Sequence, residues 1–126
     1  MVRDDNRGGT WYPPAGALER GEDLIGGANR IVQTACGCTP DFGGIVSITH
    51  MPLLPGRNVS HLRFVLEGQL SVEALSEMTA LAPASYLLPA EIRGLTLRDD
   101  AIADVIESHA RGRASAPMDL YRVGLD

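Results

Sequence analysis

The side chains with the chemistry for a small site are His50, His61, Arg63, Glu73 and Tyr86. His61 and Arg63 stand two positions apart. In a strand that spacing puts them on one face, opposite Leu62 and Phe64. A histidine titrates near neutral pH and suits general acid–base work. An arginine fork suits a carboxylate or phosphate. The expected cast is therefore His61 and Tyr86 as catalytic groups, with Arg63 and Glu73 as substrate contacts. Each has a plainer role: Arg63 as a solvated or interface residue, Tyr86 as a core residue whose hydroxyl reaches a rim. A divalent metal needs about three or four converging N, O or S ligands. His50, His61 and Glu73 would make a partial set only if one face lines an interior; otherwise both histidines are partly exposed and bind nothing. His109 is expected at the surface.

Other candidates are weaker. Cys36-Gly37-Cys38 would place two thiols on one side of a strand, but a disulfide across a single residue is strained, and two small buried thiols is the expected state. Asp99 and Asp100 point apart in a turn and are expected to cap or solvate it. Glu19, Glu22 and Asp23 beside Arg20 read as a solvated face. Asn58-Val59-Ser60 matches a glycosylation sequon by chance, since no secretory leader is read at Met1–Arg7. The sequence has no G-x-S-x-G, P-loop or dinucleotide fingerprint.

These residues are positioned by a chain that reads mostly as short strands. Leu62, Phe64 and Leu66 alternate with His61, Arg63 and Val65. Leu70, Val72 and Ala74 alternate with Ser71, Glu73 and Leu75. This period of two predicts a hairpin, with Gly68 at a positive-φ turn and Glu67 pointing to solvent. Ile45–Thr49 is a β-branched strand, and Pro52, Pro55 and Gly56 break the chain before the hairpin. Further strands are expected at 31–34, 85–89, 92–97, 101–107 and 120–123, with turns at 39–44 and 99–100. Residues 1–30 read as an N-terminal arm or irregular lead-in, within which a short helix around Leu18, Leu24 and Ile25 competes with an extended segment. Gly21, Gly26 and Gly27 weigh against the helix. Many short strands at this spacing predict an all-β sandwich or barrel over 31–126.

Composition narrows the class. The chain has 126 residues, 44% of them hydrophobic and 5% aromatic, which fits one domain with an aliphatic core. Its net charge of −5 argues against nucleic acid as partner. No apolar run approaches the roughly 18 residues that span a bilayer, so the expected location is cytoplasmic.

The order of elements from about residue 43 to 108, with Arg63–Val72 as its first signature, resembles the cupin superfamily. Thr39-Pro40-Asp41-Phe42-Gly43, Phe64-Val65-Leu66-Glu67-Gly68 and Ser85-Tyr86-Leu87-Leu88-Pro89 resemble one branch of it. The resemblance implies a double-stranded β-helix, the jelly-roll barrel. With Gly68 as the closing glycine of the first cupin signature, the glutamate slot falls on His61 and the histidine slots near Pro55 and Arg57. In the second signature, with Pro89 as its proline, the glycine slots fall on Pro83 and Glu91 and the histidine slot on Gly94. Most ligand slots are thus lost. That pattern is similar to the N-terminal, metal-free cupin half of the (S)-ureidoglycine aminohydrolase family of allantoin breakdown, which serves packing and assembly.

The expectation is a degenerate cupin, an assembly or scaffold module forming a homodimer through exposed strand edges. The alternative is a stand-alone small cupin enzyme on a small polar or acidic metabolite, with His61 as acid–base and Arg63 as anion anchor. No cofactor is expected, manganese or another divalent metal being the one candidate. Elemental analysis of protein purified without a metal-affinity tag should find no near-stoichiometric manganese, iron, zinc or nickel. A stoichiometric metal would reverse the ordering of the two readings.

Overall fold

The computed structural model describes residues 1–53, 55–56, 58–81, 84–85, 87–122 and 124. The chain folds as strands β1 (Val2–Asp4) and β2 (Thr10–Tyr12), helix α1 (Leu24–Cys36), strands β3 (Asp41–Met51) and β4 (His61–Gln69), and helices α2 (Val72–Leu81), α3 (Pro89–Arg93) and α4 (Ala101–Ala110). A two-residue strand β5 (Ala116–Pro117) comes last. The β1–β2 pair is an antiparallel hairpin, and a second antiparallel sheet has the order β4-β3-β5. The all-β expectation is therefore corrected to a mixed helix-and-strand fold. Among the described residues the sheets do not close into a barrel.

The strands predicted at 45–49 and 61–66 are present and longer than expected, and they pair from Asp41 opposite Gln69 to Met51 opposite His61. Gly68 is not a turn. It lies inside β4 opposite Phe42, and a Cβ there would sit 3.1 Å from Pro40 Cβ and 3.2 Å from the Phe42 ring. Beyond β4 the chain turns helical instead of returning as a strand. Ala74 N–H donates to Ser71 Oγ at 3.1 Å, a serine cap that outweighs the alternating pattern. Ala74, Leu75 and Met78 then meet the core along one side of α2, leaving Val72 79% exposed.

Helix α1 takes in the β-branched run at 31–34. Asp23 caps it by accepting from Gly26 N at 2.7 Å. Gly27 fits because its missing Cβ leaves room for Leu18, which would otherwise lie 2.1 Å away. Gly37, at φ 70°, ends the helix in the left-handed conformation. Cys36 and Cys38 therefore flank a helix cap, not one side of a strand, and both are buried. The acidic cluster is also engaged. Arg30 holds Glu22 at 2.8 Å, and that bond, with one from the Glu19 amide, pulls the Glu22 carboxyl down to about 2.

The segment 101–107, read as a strand, is α4, with Asp99 accepting from Ala101 N at 3.0 Å. Ile102 and Ile106 stand one turn apart, a spacing as compatible with a helix as with a strand. Pro89 opens α3 instead of closing a strand at 85–89, because its fixed φ and missing N–H suit the first helical turn. Of the segment 92–97, Leu97 alone keeps a strand-like pairing, a bridge to Trp11. A 3-10 turn spans Met118–Leu120, where the strand predicted at 120–123 would begin; Val123 lies outside the described residues.

The lead-in is tied to the body. Val2 bridges Ala84 and joins Cys36, Cys38, Met78 and Ala84 in one buried cluster. Arg98 stacks 3.7 Å over the Tyr12 ring and pairs with Asp4 at 2.5 Å. None of the described helices is long and apolar enough to cross a membrane. Met78 is 5% exposed at the centre of this cluster, so Met78→Ala should cost about 2–5 kcal/mol in chemical denaturation. A loss under about 1 kcal/mol would mean that the site collapses around the gap.

Candidate functional site

The β3–β4 pair is the element on which most of the candidate residues converge. Its register fixes two faces. Leu62, Phe64 and Leu66 share one face with His50, Ile48, Ile45 and Phe42. His61, Arg63, Val65 and Glu67 share the other with Met51, Thr49, Ser47 and Gly44. The first face is apolar and changes character along its length. At one end Ile45 is 4% exposed; toward the hairpin loop Ile48 is 52% and Leu62 57% exposed. Tyr121 meets Phe64 edge-on, ring centres 6.2 Å apart. In the loop, Leu53 and Val59 are also exposed.

The second face is polar and latched. Arg63 Nη1 donates to Asp99 Oδ2 at 2.6 Å. That guanidinium, helped by the Ala101 amide, lowers the Asp99 carboxyl below its ordinary range. Glu67, expected in solvent, instead lies 2.9 Å from His109 Nε2 and accepts from the Ser115 hydroxyl. Gly44 makes this possible: a Cβ there would lie 2.5 Å from Ser115 Oγ and 2.7 Å from Glu67 Oε1. The Ser115 hydroxyl donates to the Glu67 carboxylate, and among the described residues it has no bond to an imidazole nitrogen, so a serine–histidine pair is not formed here. It works as a clamp that fastens the end of α4 and the segment before β5 to the sheet. His109 Nδ1 and Ser47 Oγ are buried without a hydrogen-bond partner among the described residues. Sequence reasoning missed this clamp because its members are 42 to 48 positions apart, and Gly43-Gly44 reads locally as a turn.

The predicted site residues are dispersed. His61 and Arg63 share the polar face of β4. His50, opposite Leu62, lies on the apolar face, so the two histidines do not converge. Glu73 is exposed in the first turn of α2 and not on a barrel strand. Tyr86 lies outside the described residues, as do the signature positions Arg57 and Pro83. Among the described residues no group of three His, Cys, Asp or Glu side chains is placed to hold a metal. Burial pushes both thiols up, with Cys38 adding to the effect at Cys36 and Glu77 at Cys38, which favours protonated sulfur over thiolate.

Two clefts are open at the surface. One, of about 390 Å³, is lined by Asp104, Glu107, Ser108, Arg111 and Arg113. The other, of about 550 Å³, lies between the β1–β2 hairpin and α1, with Arg3, Asp5, Tyr12 and Arg30 on its walls. Arg3 pairs with Asp5 and Arg30 with Glu22, so charges that would draw a ligand are already matched. His61, Arg63 and Glu73 line neither cleft.

No family model, curated protein or solved structure matches this chain.

The Arg63–Asp99 pair gives a test by titration. Asp99 titrates lower in the folded chain than in the unfolded one, so its contribution to stability is present above the unfolded pKa of about 3.9. That contribution is lost as pH falls through the folded value. Arg63→Ala should move the Asp99 carboxyl resonance, followed by NMR, back toward 3.8 and flatten this part of the acid-unfolding curve. An unchanged Asp99 midpoint would show that the Ala101 amide alone sets it.

Proposed function

We propose that this chain is a protein-association module acting through its β3–β4 hairpin, with a second copy of the same chain as partner. The observation that carries the reading is the apolar face of the hairpin. It starts in the interior at Ile45 and runs outward past the last element that covers it, leaving Ile48 and Leu62 more than half exposed. Contiguous apolar surface of this kind marks contact sites. Beside it runs the outer edge of β4, at the end of the sheet order, where unpaired backbone groups recruit another strand. The partner is a second copy because the charges on that edge complement themselves: Arg63 and Glu67 stand two residues either side of Val65.

This reading keeps the assembly role implied by the cupin likeness and the expected homodimer, but does not need the jelly roll. Among the described residues of the segments that carry the likeness, Asp41–Gly43 and Phe64–Gly68 lie in paired strands. The second reading, a small enzyme acting on a polar or acidic metabolite, is favoured by one observation, the common face of His61 and Arg63. Against it, Arg63 is already bound to Asp99, and that bond would have to be shared or exchanged for an anionic substrate.

Sedimentation equilibrium across micromolar concentrations tests the proposal. The full chain should behave as a dimer, and Leu62→Asp and Ile48→Asp should each shift it toward monomer while leaving the circular dichroism spectrum unchanged. A chain that is monomeric throughout would overturn it.

A further inference from the structure

We infer that the two copies join edge to edge through β4, antiparallel and centred on Val65, making one continuous six-stranded sheet. This rests on the proposed association role and adds its geometry. Sheet edges in proteins that stay monomeric are blunted by short strands, prolines, charged side chains, bulges or a covering element. Among the described residues β4 carries of these only its charges, Arg63 and Glu67. It is nine residues long, contains no proline or lysine, and keeps an unbroken register from His61 to Gln69. The sheet's irregularities fall on β3, where Gly43 and Val46 are the extra residues. Among the described residues, no strand pairs with the outer side of β4.

The register is set by the side chains. A twofold axis at Val65 lets all nine residues of β4 pair, and it sets Arg63 directly opposite the partner's Glu67, twice by symmetry. Moving the axis to Phe64 would oppose Arg63 with Val65, and moving it to Leu66 would oppose Arg63 with Gln69. Only the Val65 axis joins the two charges, which across strands attract when opposite and repel when alike. Both charges have internal partners, so the cross-strand pair is shared with them. Arg63 has five donors and Glu67 four lone-pair sites, more than the bonds to Asp99, His109 and Ser115 use.

The same axis gives one of the exposed apolar side chains, Leu62, a neighbour across the seam. On the apolar face, Phe64 falls opposite the partner's Leu66. Leu62 falls opposite the partner's Gly68, over which Pro40 and the Phe42 ring already pack. Beside that glycine lies the Phe42 ring, 3.2 Å from where a Cβ would be. Leu62, 57% exposed in one chain, thus gains a glycine floor and an aromatic wall in the pair. Interfaces built on a twofold axis repeat each such contact.

Two measurements on the full chain test the geometry. In the first, Val65→Cys is oxidised and run on a non-reducing gel. The two thiols would face each other at the axis, about 4.5–5.5 Å apart between Cβ atoms, and a disulfide-linked dimer is expected. The native cysteines are buried and the parent chain serves as the blank. In the second, Arg63→Glu and Glu67→Arg are prepared separately and mixed. Each alone opposes like charges twice and should dimerise about tenfold more weakly. Mixed, they oppose Glu with Arg at both positions, and native mass spectrometry should find mainly the heterodimer. Arg63→Glu also sets a carboxylate against Asp99 and Glu67→Arg removes the clamp to His109 and Ser115; if either does not fold, the Val65→Cys result decides. A dimer that neither cross-links at position 65 nor forms the heterodimer would overturn this register and leave the association reading standing. A monomeric parent chain would overturn both.

Discussion

The structure depends on the pairing of β3 with β4. Nine residue pairs hold the two strands from Asp41–Gln69 to Met51–His61, and the later parts of the chain attach to that frame. Asp99, at the start of α4, bonds Arg63. His109, at its end, bonds Glu67, and Ser115 bonds the other oxygen of the same carboxylate. Tyr121 packs on Phe64 from the opposite face. Each attachment is modest by itself, since half-exposed ion pairs contribute about 0–1 kcal/mol. Together they orient α4 and the C-terminal segment, because they act at several points along one rigid ladder.

A second region is organised differently. The β1–β2 hairpin, α1 and α2 meet in a small apolar cluster around Val2, Cys36, Cys38, Met78 and Ala84. Arg98 stitches its border, stacked on Tyr12 and paired with Asp4. The cysteines belong to this packing: small, apolar, and held protonated by burial. Among the described residues, none of β3 or β4 belongs to this cluster. The physical basis of the association reading is the ladder's own gradient, buried at Ile45 and exposed at Ile48 and Leu62.

Some of the site was legible in the residues. The alternation at 61–66 placed His61 and Arg63 on one face and Leu62 and Phe64 on the other, and the register agrees. The strand at 45–49 was also readable; Asp99 was expected to cap or solvate a turn, and it accepts from Ala101 N at the start of a helix. The latch was not. Glu67 meets His109 and Ser115 across 42 and 48 positions, and no local pattern encodes which distant side chain a carboxylate will receive. Gly44 carried the one local trace. It reads as turn punctuation, whereas its function is to leave space for the Ser115 hydroxyl.

The sequence by itself determined the two central strands, from the β-branched residues at 45–49 and the alternation at 61–66 on either side of the prolines and glycine at 52–56. It also determined the charge symmetry about Val65. Only the tertiary structure decided that 72–81 and 101–110 are helices. Short apolar runs such as Leu70–Leu75 and Ala101–Ile106 satisfy a period of two and a period of 3.6 about equally well, so the choice falls to caps and packing partners supplied from elsewhere. Ser71 and Asp99 cap those helices. α2 lays Ala74, Leu75 and Met78 against a cluster built from the N-terminal hairpin and α1. A strand there would have needed an edge to pair with, and the core offered an apolar surface that a helical stripe fills.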